Sequence, residues 1–339
     1  MEADVLMSTL NQTRYLITGG AGFIGSHLAD ALVGRGDRVT LLDDLSTGRT
    51  ENIGHLVDRP DVTFLEGSIL DEELVARLVE DADVVVHLAA AVGVHLIVEQ
   101  PLNSLITNIH GTEVVLGACA ELGTKVMVAS TSEIYGKNAS GPLGEDDDRI
   151  LGSAFKSRWS YSTAKAVDEI LAYTYHRERG TPSIVVRLFN TVGPRQTGAY
   201  GMVVPRFVRQ ALRGEDITVY GDGEQQRCFC HVQDTVAALV SLLDHPDSVG
   251  GVFNVGSQNE VTINELARRV LEMTGSRSGT VHIPYDEAYE EGFEDMERRY
   301  PDITRIGNLT GWKPRASLGD ILADVIAYQR AQTPVGDST

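Results

Sequence analysis

The feature that most constrains this chain is a glycine-rich segment close to its first residues. It reads Thr18-Gly-Gly-Ala-Gly-Phe-Ile-Gly25, directly after an apolar run and at the start of an amphipathic stretch. Gly19 permits a tight turn, Gly22 lets the backbone approach a pyrophosphate, and Gly25 lets a helix pack closely on a strand. A helix that begins here also offers unpaired N–H groups and a partial positive charge. The segment therefore predicts a strand–turn–helix unit that binds a dinucleotide.

An acidic residue at the end of the second apolar run indicates which dinucleotide this unit binds. Asp43 closes the segment Arg38–Asp43, 18 residues after Gly25, where its carboxylate can accept hydrogen bonds from a ribose. A carboxylate at that position repels a 2′-phosphate. The sequence therefore favours NAD over NADP.

Short apolar runs alternate with amphipathic stretches through the first half of the chain. The predicted strands are Arg14–Thr18, Arg38–Asp43, Val62–Glu66, Val84–Leu88, Lys125–Ala129 and Ser183–Arg187. The predicted helices are Phe23–Arg35, Glu72–Glu80, Leu105–Leu122 and Tyr161–Arg179. Fully apolar runs are typical of strands buried on both faces of a parallel sheet. The pattern predicts an α/β fold, a Rossmann-type doubly wound parallel sheet.

The composition of the sequence changes after Asn190, where Gly and Pro cluster. A helix at 204–213, a short strand at 217–223, a helix from 262 and a final helix at 318–329 predict a smaller C-terminal α/β lobe that binds substrate. The segment Val232–Leu243 is predicted to be a helix that returns to the first domain. We expect an NAD-binding domain over 12–190 and about 231–256, a lobe over about 191–230 and 257–330, and tails at 1–11 and 331–339.

Charge and composition exclude several classes of function. The formal net charge is −19, which argues against a nucleic-acid surface and means that an anionic substrate has to be captured by a few local arginines. The sequence shows neither a membrane-spanning apolar window nor a signal peptide. Three cysteines, Cys119, Cys228 and Cys230, form neither a disulfide framework nor a zinc pattern. We expect a cytoplasmic protein without a metal site or membrane contact.

A tyrosine and a lysine on one predicted helix are candidate catalytic residues. Tyr161 and Lys165 are four residues apart and therefore share a helix face. A lysine ammonium, together with a positive nicotinamide ring, lowers the pKa of a tyrosine and makes it a usable base. The pair alone is weak support, because such spacings arise by chance. The upstream segment 129–136 adds hydroxyls at a strand end, with Thr131 suited to bridge a substrate hydroxyl and the tyrosine.

The motifs together resemble the extended short-chain dehydrogenase/reductases of the nucleotide-sugar epimerase/dehydratase family. The resemblance covers about 15–328 and rests on the segments TGGAGFIGSHL, LLDDLSTG, HLAA, NIHGT, STSEIYG, YSTAK, RLFNTVGPR, VYGDG and GW-P. It implies NAD as cofactor, a UDP-sugar as substrate, Thr131, Tyr161 and Lys165 as catalytic residues, and a homodimer formed through the helices at 105–122 and 161–179.

The resemblance also implies the binding residues. Those for NAD are Gly19, Gly22, Phe23, Ile24, Gly25, Asp43, Ser68, Ile69, Leu88, Ala89, Ala90, Tyr161 and Lys165. Those for substrate are Ser132, Glu133, Asn190, Arg195, Val219, Tyr220, Arg227 and Arg299. The family commonly has an Asp against the adenine where this chain has Ser68. The second arginine on the diphosphate is either Arg298 or Arg299.

Three reactions of this family begin with oxidation of the sugar at C4. A 4,6-dehydratase carries Asp-Glu after the threonine, whereas this chain has Ser132 and Glu133, which disfavours dehydration. A UDP-glucuronate decarboxylase resembles the chain at STSE but typically has a Ser-Pro-Pro-rich turn where this chain reads Ala89-Ala-Ala-Val-Gly-Val94, as in 4-epimerases. The resemblance therefore favours 4-epimerisation through a 4-keto sugar.

The substrate is inferred from one arginine. Arg195 resembles the arginine that lies near the sugar carboxylate in UDP-glucuronate 4-epimerases, and a bidentate contact selects an acidic sugar and restrains decarboxylation. We expect conversion of UDP-glucuronate to UDP-galacturonate, with UDP-glucose 4-epimerisation and UDP-glucuronate decarboxylation as alternatives. A catalytically silent NAD-binding sensor or scaffold is the non-enzymatic alternative, and retention of Thr131, Tyr161 and Lys165 argues against it.

Overall fold

The fold was examined in a computed structural model of the chain, which describes residues 12–91, 101–138, 141–156, 159–198, 202–284, 287 and 298–332. The predicted tail 1–11, residues 333–339 of the other tail, and residues 92–94 of the alanine-rich turn lie outside the described residues. In the described part of the chain, no helix is long and apolar enough to cross a membrane.

Strands and helices alternate along the first half of the chain, as the sequence predicts. The strands are β1 Arg14–Thr18, β2 Arg38–Asp43, β3 Val62–Glu66, β4 Val84–His87, β5 Lys125–Thr131, β6 Ser183–Leu188, β7 Thr191–Val192, β8 Ile217–Tyr220, β9 Gln226–Cys228, β10 Cys230–His231, β11 Val252–Val255, β12 Glu260–Thr262, β13 Thr280–Ile283 and β14 Arg298–Arg299. The helices are α1 Phe23–Arg35, α2 Glu72–Glu80, α3 Pro101–Leu122, α4 Ser160–Arg179, α5 Val203–Leu212, α6 Val232–Asp244, α7 Ile263–Thr274, α8 Thr304–Thr310 and α9 Leu318–Gln332.

Seven of these strands form one parallel sheet in the order β11-β6-β5-β4-β1-β2-β3. Successive strands leave β1 in one direction as far as β3 and then continue on its other side with β4. The order reverses between β1 and β4, and ligands bind in the crevice that such a reversal opens at the carboxyl ends of the strands. The predicted doubly wound sheet is confirmed.

Buried side chains form a separate apolar layer on each face of this sheet. On one face, Leu28 and Leu32 of α1 meet Leu239 and Leu242 of α6. On the other face, the cluster includes Val115 and Leu116 of α3, Ala172 of α4, and Val75 of α2. The strands between these layers are apolar on both sides because neither face meets water. The continuous apolar runs of the sequence follow from this arrangement.

A third apolar cluster lies in the C-terminal half and holds the lobe together. It joins Phe207 and Val208 of α5, Leu266 of α7, and Ile321 and Leu322 of α9. Small sheets accompany it, with the strand orders β12-β9-β14 and β13-β8. Since β11 pairs with β6 in the main sheet, residues 252–255 belong with the first domain in space. The domain boundaries themselves stay a prediction.

β5 is longer than the sequence predicted, and the difference matters for the site. The predicted strand ends at Ala129, whereas the structure continues it to Thr131, since Ser130 and Thr131 pair with Arg187 and Leu188 of β6. The hydroxyl-bearing residues are therefore held in the sheet. They are presented from its rigid carboxyl edge instead of from a loop.

Two glycines of α1 provide a test of the packing at the first turn. A Cβ added at Gly25 would overlap the carbonyl oxygen of Gly19, whereas one added at Gly34 would meet nothing within 4 Å. We expect Gly25→Ala to lower the free energy of unfolding by about 1–3 kcal/mol. Gly34→Ala, on the same helix, should raise it by about 0.5–1 kcal/mol. Urea unfolding followed by circular dichroism measures both; a neutral Gly25→Ala would contradict the described packing.

Candidate active site

A cavity of about 660 Å³ lies where the carboxyl ends of the strands face the C-terminal lobe. Its wall on the sheet side includes Gly19, Leu88 and Thr131, from the ends of β1, β4 and β5. On the lobe side it includes Arg227 and Arg299. The cavity therefore occupies the crevice that the strand order predicts, and it joins the two sets of site residues inferred from the sequence.

The glycine turn forms the dinucleotide end of this cavity. Gly19 has a φ of +71°, and a Cβ there would lie 2.8 Å from the backbone nitrogen of Ala89, so only glycine fits without displacement. The cavity is lined by ten of the residues expected to bind the cofactor backbone and ribose: Gly19, Gly22, Phe23, Ile24, Gly25, Asp43, Ile69, Leu88, Ala89 and Ala90. The N-terminus of α1 opens onto the same space.

Asp43 is fastened to the glycine turn as well as facing the cavity. One carboxylate oxygen accepts the N–H of Ala21 at 2.9 Å, and the other accepts the N–H of Leu45 at 2.9 Å. Burial raises the pKa of Asp43, while these backbone N–H groups oppose the rise. Each carboxylate oxygen has a second lone pair. Asp43 can therefore hold the turn against β2 and still accept ribose hydroxyls.

Ser68 lies outside the cavity, although the resemblance implied a cofactor contact there. Its hydroxyl accepts the N–H of Leu70 at 3.2 Å, within the turn that precedes α2. Among the residues that line the cavity at this point are Gly67 and Ile69. The adenine end of the cavity is therefore formed by apolar and backbone atoms on this side, and the expectation for Ser68 is corrected.

Thr131, Tyr161 and Lys165 come together on the cavity wall, as predicted. Thr131 ends β5 and accepts the N–H of Glu133 at 3.2 Å, which caps the short 3-10 turn Ser132–Tyr135. The hydroxyl of Ser162 donates to the Glu133 carbonyl at 2.8 Å. These bonds fix the end of β5 against the first turn of α4. Their roles in catalysis remain a prediction at this point.

The electrostatics around Tyr161 differ from the expectation. Lys165 lies 3.0 Å from a carboxylate oxygen of Asp168, and both side chains are almost fully buried. The pKa of Tyr161 is raised, first by burial and then by the negative charges of Glu133 and Asp168. The charge of Lys165 is therefore balanced by Asp168, and the protein alone does not favour the phenolate. Sequence reasoning missed Asp168, although its place three residues after Lys165 was visible.

Two buried arginines line the substrate end of the cavity. Arg227 and Arg299 are register partners on the parallel pair β9 and β14, and each is 8% exposed. Arg299 lies 3.4 Å from Glu133, whereas Arg298 is bonded to Glu260 at 2.6 Å away from this wall. Adjacent buried cations are stabilised by an anion between them. Arg299 is therefore the arginine of the pair that faces the cavity.

The other residues expected at the substrate end divide into two groups. Ser132, Glu133, Asn190 and Tyr220 line the cavity. Val219 does not: it is fully buried in the apolar cluster of the lobe. Successive strand residues point to opposite faces, so Tyr220 faces the cavity because Val219 faces the core. The expectation for Val219 is corrected.

Arg195 also lies outside the cavity. Its guanidinium is 2.8 Å from Asp30 of α1, and its backbone has a φ of +67°, which turns the loop towards that helix. His27 contacts the carbonyl of the preceding Pro194 at 2.9 Å. The interpretation of Arg195 as the reader of a sugar carboxylate is therefore corrected, because its charge is occupied by Asp30.

The structure also adds residues that the motifs did not indicate. Gln196 and Thr197, next to Arg195, line the cavity, and so does Arg206 of α5. Arg206 stacks over the Tyr220 ring, 4.3 Å from its centroid. A base-sized planar group can stack against such a surface. Arg206 is half-buried and lies on the side of α5 opposite Val204 and Phe207, so the amphipathic pattern of α5 carried no signal for it.

The cysteines are buried thiols. Burial raises the pKa of Cys119, Cys228 and Cys230 to about 12, so none is a thiolate at neutral pH. Among the residues described, no group of three or more His, Cys, Asp and Glu side chains is arranged to hold a metal ion.

The parallel sheet, the glycine turn and the Thr/Tyr/Lys wall together define an extended short-chain dehydrogenase/reductase. The family model described as GDP-mannose 4,6 dehydratase matches residues 16–325, and the chain belongs to this nucleotide-sugar epimerase/dehydratase family. The fold and family predictions are thereby confirmed.

Relatives and solved structures extend this comparison. The chain is 42% identical to a UDP-N-acetyl-alpha-D-glucosaminuronate decarboxylase of Bacillus cytotoxicus, over 94% of this chain and 98% of that protein. It is 36% identical to UDP-glucuronic acid decarboxylase 1 of Danio rerio, over 95% of this chain and 74% of that protein. Its fold is similar to the UDP-glucuronic acid 4-epimerase of Bacillus cereus in complex with UDP-glucuronic acid and NAD, with a TM-score of 0.85, 29% identity, and coverage of 94% and 100%.

Tyr161 provides the test of this catalytic wall. We expect Tyr161→Phe to lower turnover by about 10²–10⁴-fold, because the base is lost while the ring remains. Tyr328→Phe is the matched control, since Tyr328 lies on α9 and is not part of the cavity lining; this variant should retain full turnover. Sugar conversion followed by proton NMR measures both. If Tyr161→Phe retains wild-type turnover, the base is another group.

Proposed function

We propose that this chain is an NAD-dependent decarboxylase of a UDP-hexuronic acid, acting through a 4-keto sugar. The observation that carries the proposal is the contact between Arg299 and Glu133 at the substrate end of the cavity, 3.4 Å apart. It brings a cation for an acidic substrate and a proton-carrying group onto the wall that holds Thr131 and Tyr161. Arg195, whose contact would restrain loss of the carboxylate, is bonded to Asp30 instead.

The cavity fits NAD at its glycine end. Gly19, Gly22 and Gly25 line this end with backbone atoms alone, and a bare backbone turn at a helix N-terminus binds a pyrophosphate. Asp43 lies where ribose hydroxyls reach its carboxylate. When bound there, NAD would supply the hydride acceptor for oxidation at C4 and, once reduced, the hydride donor for the reverse step, so no external reductant would be needed.

The side chains of this chain supply the proton transfers. Tyr161, bridged by Thr131, takes the proton of the sugar 4-hydroxyl as C4 is oxidised. The bond between C5 and the carboxylate then breaks, and its electron pair moves onto the C4 oxygen as carbon dioxide leaves. C5 next takes a proton, which Glu133 relays from solvent. Tyr161 returns its proton to the C4 oxygen when C4 is reduced, so the net reaction consumes one proton and releases carbon dioxide.

The arginines explain how a protein with a formal net charge of −19 captures a substrate that carries both a diphosphate and a carboxylate. Arg227 and Arg299 lie side by side on neighbouring strands, where a planar guanidinium can bind a diphosphate or a carboxylate with two hydrogen bonds. We assign the diphosphate chiefly to Arg227. Arg299 then forms hydrogen bonds both to the substrate and to Glu133. Binding of the acidic sugar therefore changes the electrostatic environment of Glu133.

The full-length relatives support decarboxylation over the 4-epimerisation that the motifs favoured. The 42% identical relative is named as a decarboxylase of an acidic UDP-sugar, and so is the 36% identical one. UDP-sugar 4-epimerisation remains the second candidate, because the alanine-rich turn that begins at Ala89 is of the epimerase type and the fold is similar to that of 4-epimerases. The two reactions share every step up to the 4-keto sugar.

The products decide between the two reactions. Purified protein is incubated with NAD and either UDP-glucuronic acid or UDP-N-acetylglucosaminuronic acid, and the sugar is followed by proton NMR together with carbon dioxide release. We expect a UDP-pentose, UDP-xylose or its N-acetylated counterpart, and one carbon dioxide for each sugar consumed. Tyr161→Phe serves as the control for contaminating activity.

Two other outcomes would reject decarboxylation of these acidic sugars. A stable mixture of C4 epimers without carbon dioxide would overturn decarboxylation in favour of the second candidate. No change in either acidic sugar would reject both acidic substrates, and the neutral UDP-glucose would then be tested for epimerisation. Glu133→Gln separates the reactions further, since it should slow carbon dioxide release more than formation of the 4-keto sugar.

We also propose that the chain forms a homodimer through α3 and α4. These helices pack on one another, and their outer surface exposes large apolar side chains: Leu102 is 68% exposed, Ile106 44%, Ile170 55% and Tyr173 56%. Grouped apolar side chains on a helix pair are typical of a contact surface, unlike apolar residues scattered singly. A second copy of the same pair, related by a two-fold axis, covers this surface.

A charge on this surface should abolish the dimer. We expect the wild-type protein to have twice the monomer mass in light scattering after size exclusion, and Ile170→Glu to have the monomer mass. Val57→Glu is the matched control, because Val57 is 43% exposed away from α3 and α4 and should leave the dimer intact. A monomeric wild type at micromolar concentration would reject the proposal.

A further inference from the structure

We infer that Asp168 is the positioning residue for Lys165: its carboxylate keeps the lysine charged and oriented towards the bound dinucleotide. The inference rests on the proposed function only for the identity of that dinucleotide. Tyr161, Lys165 and Asp168 follow each other along α4 at spacings of four and three residues, so all three lie on one face of the helix. Only the first two belong to the motif from which the catalytic wall was predicted.

The geometry makes Asp168 the counter-charge of Lys165. The ammonium is 3.0 Å from the carboxylate, and the exposed fractions of the two side chains are 3% and 0%. An isolated ammonium in such a site favours its neutral form, because burial disfavours the charged state. The carboxylate also limits where the flexible lysine side chain can point. Asp168 therefore stabilises the charge of Lys165 and also restricts the orientation of its side chain.

Buried polar contacts behind the pair lead to the dinucleotide end of the cavity. The hydroxyl of Thr112 on α3 contributes to lowering the pKa of Asp168, against the rise caused by burial. His87 contacts Thr112 at 3.1 Å and Thr18 at 2.7 Å, and Thr18 accepts the N–H of Ala89 at 3.3 Å. The chain of contacts ends at the turn that faces Gly19. The ion pair thus lies beside the buried framework that shapes the cofactor site.

The pair also explains why the base is neutral before the dinucleotide binds. Lys165 and Asp168 together present no net charge to Tyr161, whose pKa is raised by burial and by nearby acids. The positive charge that favours the phenolate must then arrive with the oxidised cofactor. Asp168 keeps Lys165 charged. Lys165 does not have to activate Tyr161 alone, and it serves to hold the nicotinamide ribose.

The ionisable groups around the pair permit a pH test. They are His87 from β4, Glu133 from the turn after β5, Tyr161 and Glu169 from α4, and Arg187 from β6, which binds Glu169 at 2.8 Å. Burial lowers the pKa of His87 to about 3, and the pKa of Tyr161 is raised, so neither changes charge between pH 6 and 8.5. Loss of Asp168 leaves the buried ammonium of Lys165 without its counter-charge.

The experiment measures NAD affinity by calorimetry without any sugar, on protein freed of bound dinucleotide, from pH 6 to 8.5. For Asp168→Asn we expect the Kd to rise about tenfold at pH 8.5, the loss of one hydrogen bond to a charged group. The ratio to wild type should fall towards one as the pH is lowered, because the amine regains its proton. Glu178→Gln, an exposed acid on the same helix, is the matched control and should match wild type at every pH.

The double variant separates positioning from a merely structural role. Lys165→Met with Asp168→Asn removes both charges, so it folds even if the single variant with a buried unpaired lysine does not. We expect its Kd to equal that of Lys165→Met within about twofold, since Asp168 acts only through Lys165. The inference would be overturned if Asp168→Asn lost NAD affinity equally at every pH, or lost none. It would also be overturned if the two substitutions had independent effects on the Kd in the double variant. The absence of sugar keeps these results separate from any failure of the proposed reaction.

Discussion

The close approach of two backbone turns is the constraint on which the rest of the site depends. The turn after β1 passes so near the turn after β4 that a side chain at Gly19 would lie 2.8 Å from the Ala89 nitrogen. This contact is possible only because the strand order reverses between β1 and β4, which sends the following segments to opposite faces of the sheet. The crevice between them is fixed by backbone atoms. Thr131 and Tyr161 line the same crevice as these two turns.

The charges of the site are arranged in opposed pairs along the cavity. Lys165 is balanced by Asp168 and Arg299 by Glu133, while Asp43 is neutralised in part by backbone N–H groups. Each pair holds one charged group where a ligand needs it, and burial makes that group costly to leave without a partner. An overall acidic protein can in this way present cations to an anionic sugar nucleotide without a basic surface.

The sheet was predictable from the sequence because its strands are buried on both faces, which produces continuous apolar runs with sharp ends. The dinucleotide end was predictable for a related reason, since a backbone–backbone contact tolerates only glycine. Side chains on loops were harder: Arg195 belongs to a motif, yet the direction of its guanidinium is decided by Asp30 of α1, a residue that no local pattern connects to it. Asp168 was missed because the motif consists of residues that contact ligands and does not include the residues that position those contact residues. The choice between decarboxylation and epimerisation depends on groups that act after the shared oxidation, and the motifs describe the oxidation.

The bond between Arg195 and Asp30 has a consequence for how the substrate pocket can change. It anchors one end of the segment that carries Gln196 and Thr197 to the helix that begins at the glycine turn, and His27 adds a second attachment at Pro194. This wall is thus anchored to the cofactor domain, while the residues immediately after the anchor, Gln196 and Thr197, line the cavity. Substitutions at those positions can therefore change the shape of this cavity wall while the ion pair that anchors it stays in place.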